Sequence, residues 1–190
     1  MEVSVKGHNV DVGDALRGHI EDYLQAGVGK YFDKALDGSV TISRETTHGF
    51  HVEIMVHPLR AMTVQAGASG DDAYGAFDGA LGRIAKQLRR YKRRLKDHHK
   101  TRPDDGFLSA QQYVLQSGHD DDEVPEEGDP TIIAEMDTEI ATLSVGEAVM
   151  RMDLAHAPVQ MFRNTTSGRL NVVYRREDGN IGWIDPEQAV

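Results

Sequence analysis

Between Asp71 and Lys96 the chain reads DDAYGAFDGALGRIAKQLRRYKRRLK, and Tyr74, Phe77, Leu81, Ile84, Leu88, Tyr91 and Leu95 recur in it at spacings of three and four. At roughly 100° per residue these seven share one stripe of an α-helix, so the stretch must lay that stripe on a core. The other side carries Arg83, Lys86, Arg89, Arg90, Arg93 and Arg94, flanked by Lys92 and Lys96, with no acid from Arg83 to Lys96. An ordinary solvated face mixes signs and gains from Glu and Lys one turn apart. This one repels itself. Unrelieved charge rich in Arg points to phosphates, which guanidinium groups grip in pairs of hydrogen bonds. A membrane surface is the weaker alternative, because a helix lying on lipid exposes its apolar stripe.

The rest of the domain follows from that helix. Val3 and Val5 alternate before Gly7 as in a short strand, and Asp11 can cap a helix carrying Val12, Leu16, Ile20 and Leu24 that ends at Gly27 and Gly29. Three alternating runs come next: Val40 and Ile42; Val52, Ile54 and Val56; Met62, Val64 and Ala66. Breaks are expected at Thr47-His48-Gly49, at His57-Pro58 and from Gly67 to Gly70. The order is βαβββα, an α+β unit with two helices on one face of a sheet and the other face open. Gly75, Gly79 and Gly82 each weaken the basic helix by about 1 kcal/mol relative to Ala, and all three fall away from the stripe. They are either drift in a helix held by packing or sites of close approach by an RNA backbone or a protein surface.

Charge divides the 190 residues better than length does. Residues 1–103 carry net +3, residues 104–130 carry net −9 with no base, and residues 131–190 carry net −4. The overall −10 therefore hides a basic face, and local field decides what a face binds. The middle stretch is rich in acid, Pro and Gly and reads as a disordered linker, interrupted by Phe107, Leu108, Tyr113, Val114 and Leu115, which could be a sticky segment that docks somewhere. Its negative charge beside the basic helix invites weak self-masking.

Folding signals resume after Pro130. Ile132, Ile133 and Ile140 suggest a strand, and Ser144-Val145-Gly146-Glu147 is a capping box opening a helix through Val149 and Met152. Strands follow at Val159 to Phe162, Leu170 to Tyr174 and Ile181 to Ile184, with a hairpin turn at Glu177-Asp178-Gly179-Asn180. Sixty residues make a marginal core. A homodimer pairing sheets or edges would remedy that.

Several chemistries lack their residues. There is no cysteine for a disulfide, a thiolate site or a nucleophile, and no phosphate-loop, nucleophile-elbow or dinucleotide pattern. His51 and His57 share a strand face but stand roughly 20 Å apart, too far for one ion, and His48 does not complete a set. No metal, cofactor, small-molecule substrate or enzymatic activity is expected. The N-terminus has no basic start leading into an apolar core, and no run approaches a membrane span, so the chain reads as soluble and cytoplasmic. Asn164-Thr165-Thr166 fits the glycosylation pattern but is read as a turn.

With both ends in view, the chain resembles the long-form ribosome hibernation promoting factors, of the ribosome-associated inhibitor A and sigma-54 modulation protein family. The resemblance is carried by DDAYGAFDGALGRIAKQLRRYKRRLK and by MFRNTTSGRLNVVYRREDGNIGWIDP, with its Phe-Arg-Asn, Asn-Val-Val-Tyr-Arg-Arg and Asp-Gly-Asn-x-Gly elements, and covers about residues 1–100 and 131–190. It implies a ribosome-binding domain at 1–103, similar in layout to double-stranded RNA-binding domains, an acidic linker at 104–130 and a C-terminal α+β dimerisation domain at 131–190. The first would occupy the messenger and transfer RNA channel of the small ribosomal subunit and silence translation; the last would pair two ribosomes as a homodimer. Position in the matched motif carries RNA contact onto Lys86, Arg89, Arg90, Arg93 and Arg94, with Lys6 and Arg60 as neighbours on the sheet. The strand with Val159, Met161 and Phe162, beside Val172 and Tyr174, is the expected dimer interface. LAHAPVQMF departs there from the aromatic run that the family often carries. The competing readings are a general double-stranded RNA-binding protein and a protein-interaction regulator of transcription.

Overall fold

The computed structural model describes residues 1–45, 49–98, 106–116 and 131–187. The N-terminal unit runs β1 (Glu2–His8), α1 (Asp14–Gly29), β2 (Asp37–Glu45), β3 (Gly49–Leu59), β4 (Met62–Gly70) and α2 (Ala73–His98), the expected βαβββα order. The strands lie in sequence order, β1 parallel to β2 and the rest antiparallel. Alternation sends Val40, Ile42, Val52, Ile54, Val56, Val64 and Ala66 to one face, where Ile20, Leu24 and Val28 of α1 and Phe77, Ile84, Leu88 and Tyr91 of α2 bury them.

Several local expectations shift. Alanines 73, 76 and 80 belong to the buried stripe of α2, whereas Tyr74 is exposed and Leu81 half-buried. Small side chains let the helix settle close to the sheet, which rotates the stripe toward them. Gly79 sits over β4, where an added Cβ would lie 3.1 Å from the Cβ of Ala68, so it belongs to that close approach and not to the outer side. Gly13, not Asp11, is the N-cap of α1. Gly27 and Gly29 lie inside the last turn of that helix, and a Cβ on Gly27 would stand 3.0 Å from Cδ1 of Leu81, so Gly27 serves the crossing with α2. β3 continues through His57 and Pro58 with a register shift between Val56 and Leu59, and the chain reverses at Arg60-Ala61, where Ala61 takes φ 50°. A shift of register absorbs the missing N–H of Pro58 without ending the strand. β4 likewise continues to Gly70. Thr47 and His48 lie outside the described residues.

The C-terminal unit is a five-stranded sheet in the order β5 (Phe107–Leu115), β6 (Ile132–Leu143), β7 (Val159–Asn164), β8 (Leu170–Arg175) and β9 (Ile181–Ile184), with α3 (Val145–Leu154) between β6 and β7. In place of the irregular chain expected from 104 onward, residues 107–115 pair antiparallel with β6. The capping box forms as read: Ser144 Oγ accepts from the Glu147 N–H, and the Glu147 carboxylate accepts from the Ser144 N–H at 3.0 Å. α3 sets Ala148 and Met152 on Ala141, Leu143, Phe162 and Val173. Gly179 turns the β8–β9 hairpin at φ 81°. Beside it the Asp178 carboxylate accepts from the Asn180 N–H and from Arg176, in that order of effect, and both hold its pKa below the usual carboxylate value.

Candidate nucleic-acid interface

α2 projects its cations in three directions. Arg83 reaches over the sheet edge to the Gly67 carbonyl, and Lys92 donates to the Tyr31 carbonyl at 2.6 Å, so these two serve the domain itself. Lys86, Arg89, Arg90 and Arg93 are exposed on the outer side, within two turns of one another. Arg94 is exposed as well, but its Nη1 lies 3.6 Å from Sδ of Met150 in α3. The side chains of Leu95 to His98 lie outside the described residues.

The two sheet residues expected to join this cluster stand elsewhere. Lys6 is on edge strand β1, in alternation with buried Val5, and so faces away from the helices. Arg60 is in the β3–β4 reversal, forks onto the Glu139 carboxylate and lies over the ring of Phe107 at 5.2 Å. Next to that reversal, Arg151 of α3 donates to the Ala61 carbonyl at 2.9 Å. Arg151 also adjoins the Tyr91 hydroxyl, whose pKa burial pushes above its ordinary value of 10.0, against the pull of the Arg151 charge. Sequence reasoning did not find this contact between the halves. Its only signal is that Met150 and Leu154 continue the apolar content of α3 onto the side opposite Ala148 and Met152.

In the C-terminal unit the signature asparagines are structural. Asn171 is fully buried: its Oδ1 accepts from Asn164 Nδ2 and from Trp183 Nε1, both at 2.9 Å, while its Nδ2 donates to Asp185. One amide therefore ties β7, β8 and β9 together. Thr166 N–H closes a turn onto Asn164 Oδ1 at 2.9 Å, as the turn reading expects. On the sheet face away from α3, Val159 pairs with Tyr174, Met161 with Val172, and Val172 with Ile184. Val159, Met161, Leu170 and Ile184 are exposed there. Phe162 is not part of this face: alternation turns it under α3, where it is fully buried. Gly182 lies beneath the Tyr174 ring, whose Cζ would be 2.3 Å from an added Cβ.

Among the described residues no group of His, Asp and Glu is arranged to hold a metal ion; His51 bonds Ser69 at 3.0 Å and His57 bonds Asp37 at 2.7 Å. No described helix is long and apolar enough to cross a membrane.

Comparison with known proteins bears on both units. Residues 3–96 match the family model described as sigma 54 modulation protein / S30EA ribosomal protein, and residues 127–182 match the one for its C terminus. The crystal structure of the Thermus thermophilus Protein Y N-terminal domain is similar at 29% identity and a TM-score of 0.43, over 48% of this chain and 99% of that one. The ribosome hibernation promotion factor of Bradyrhizobium diazoefficiens is 41% identical over 98% of this chain and 95% of its own length. That of Rhizobium meliloti is 40% identical over 97% of each. Two family domains in order, and such identity over nearly the full length, mean that the chain belongs to the long-form ribosome hibernation promotion factors.

Proposed function

We propose that this protein silences translation by laying the outer side of α2 on ribosomal RNA in the messenger and transfer RNA channel of the small subunit, and that it pairs two ribosomes through a C-terminal homodimer. The observation that carries the first part is the group Lys86, Arg89, Arg90 and Arg93, outward-facing on a rigid helix that the sheet holds from behind. Helical RNA is gripped mostly through phosphates and shape, which needs cations in fixed register and no base-reading pocket. Inhibition is then steric, in the cytoplasm, with no bond made or broken. The second part rests on the uncovered apolar face with Val159, Met161, Val172 and Tyr174, backed by Phe162, the kind of patch that a second copy covers.

The test is sucrose-gradient sedimentation of ribosomes with the full chain and two variants. The unaltered chain should co-migrate with ribosomes and produce a faster ribosome-dimer peak. Arg89→Glu, Arg90→Glu and Arg93→Glu together should abolish co-migration while the fold is retained; binding that survives them in moderate salt refutes the helix assignment. Met161→Asp should keep co-migration and lose the dimer peak. Equal binding to free duplex RNA would favour the general RNA-binding reading.

A further inference from the structure

α3 is ten residues long and apolar on two opposite sides. Ala148 and Met152 fill the core of their own sheet, while Met150 and Leu154, two positions on and so about 200° around the helix, are buried in the core of the N-terminal domain. A helix with two apolar sides needs two partners, and the second partner here is the other half of the chain. Polar contacts ring that seam. Arg151 holds the Ala61 carbonyl, Arg60 forks onto Glu139 while stacked on the Phe107 ring, and Arg94 lies against Met150.

The occupied groups matter. Arg60 and Arg94 are two of the seven residues onto which the resemblance carries RNA contact, and both meet the C-terminal half. Glu135, Asp137 and Glu139 alternate along β6, so they share one face at spacings of about 6.6 Å, a row of anions with its last member on Arg60. We propose that the C-terminal half is an intramolecular latch, with Glu139 of β6 holding Arg60 and α3 as the catch, so that the closed chain withholds Arg60 and Arg94 from ribosomal RNA while Lys86, Arg89, Arg90 and Arg93 stay exposed. What the latch masks rests on the RNA-binding function proposed above. A closed fraction lowers apparent affinity in proportion to the open fraction that remains. The self-masking expected of the acidic linker falls largely on residues outside those described, and the latch is a separate contact made by β6.

A cleft of about 970 Å³ separates the halves beside this seam and is lined by Thr63 and Ala61 on one side and by Ser109, Asp137 and Glu139 on the other. The chain has no cysteine, so Thr63→Cys with Ser109→Cys gives one unique thiol pair. A short, reductively cleavable thiol-to-thiol linker should bridge it within single chains at high dilution. Glu139→Lys with Arg151→Ala added should lower the yield of that bridge. The bridged chain should bind small ribosomal subunits at least about fivefold more weakly than the same chain after cleavage. No intrachain bridge, a yield indifferent to Glu139→Lys and Arg151→Ala, or equal binding before and after cleavage each overturns the latch. If the cleaved chain ignores small subunits altogether, the RNA-binding function falls, and the bridge yield alone decides whether the halves close.

Discussion

Tyr91 shows how one side chain can belong to two domains. Its ring completes the α2 stripe, as its spacing in the sequence says, but its hydroxyl ends beside Arg151, whose position no periodicity reveals. Burial raises its pKa, so above about pH 10 the unfolded chain releases a proton that the folded chain retains. Its contribution to stability is whole below that pH and is lost as pH rises through the folded value. Alkaline unfolding followed by circular dichroism should therefore show a shallower decline for Tyr91→Phe than for the unaltered protein. Gly182 is a second case. Read as part of an Asp-Gly-Asn-x-Gly element it looks like turn chemistry, yet it is the floor under Tyr174, and Gly182→Val should displace that ring and lower the melting temperature of the C-terminal unit.

At the scale of elements, the sequence was legible wherever a periodic pattern had one partner. The order βαβββα, the capping box and the β8–β9 turn all came through, because each is set by local spacing or by a side chain bonding its own backbone. Ser144→Ala should cost about 1 kcal/mol of C-terminal stability in a denaturant titration. The glycines of α2 were not legible as a set, since their roles depend on what lies across from them. Gly82 faces open space, so Gly82→Ala should stabilise the N-terminal unit by about 1 kcal/mol, whereas a larger side chain at Gly79 meets Ala68 of β4. Calorimetry of Gly82→Ala beside Gly79→Leu should show opposite shifts. Strand β5 was missed because its pattern, FLSAQQYVL, is flanked by acid and buries little; only its pairing with β6 makes it a strand.

For the whole molecule, charge bookkeeping found the basic face, and the family resemblance supplied the candidate contacts around it. What neither could supply was the relation of the halves, because Arg60 and Glu139 are 79 positions apart and meet only in three dimensions. If Lys86, Arg89, Arg90 and Arg93 each neutralise a phosphate, the logarithm of affinity for small subunits should fall with the logarithm of salt at a slope of about −3 to −4. Replacing one of the four with Gln should make that slope shallower by about 1, as measured by filter binding across a salt series.

β6 is the one strand that works in both regions of the C-terminal sheet, pairing with β5 along most of its length and with β7 at Thr142 and Leu143. Twelve residues of strand, with one register irregularity at Ile133, span about 40 Å. Its acidic stretch and its sheet end belong to one strand, so opening of the latch proposed above would carry the apolar face with it. Latch and pairing face would then act as one part where the sequence suggests two, and a strand-breaking Pro between Glu139 and Thr142 would divide the lever from its load.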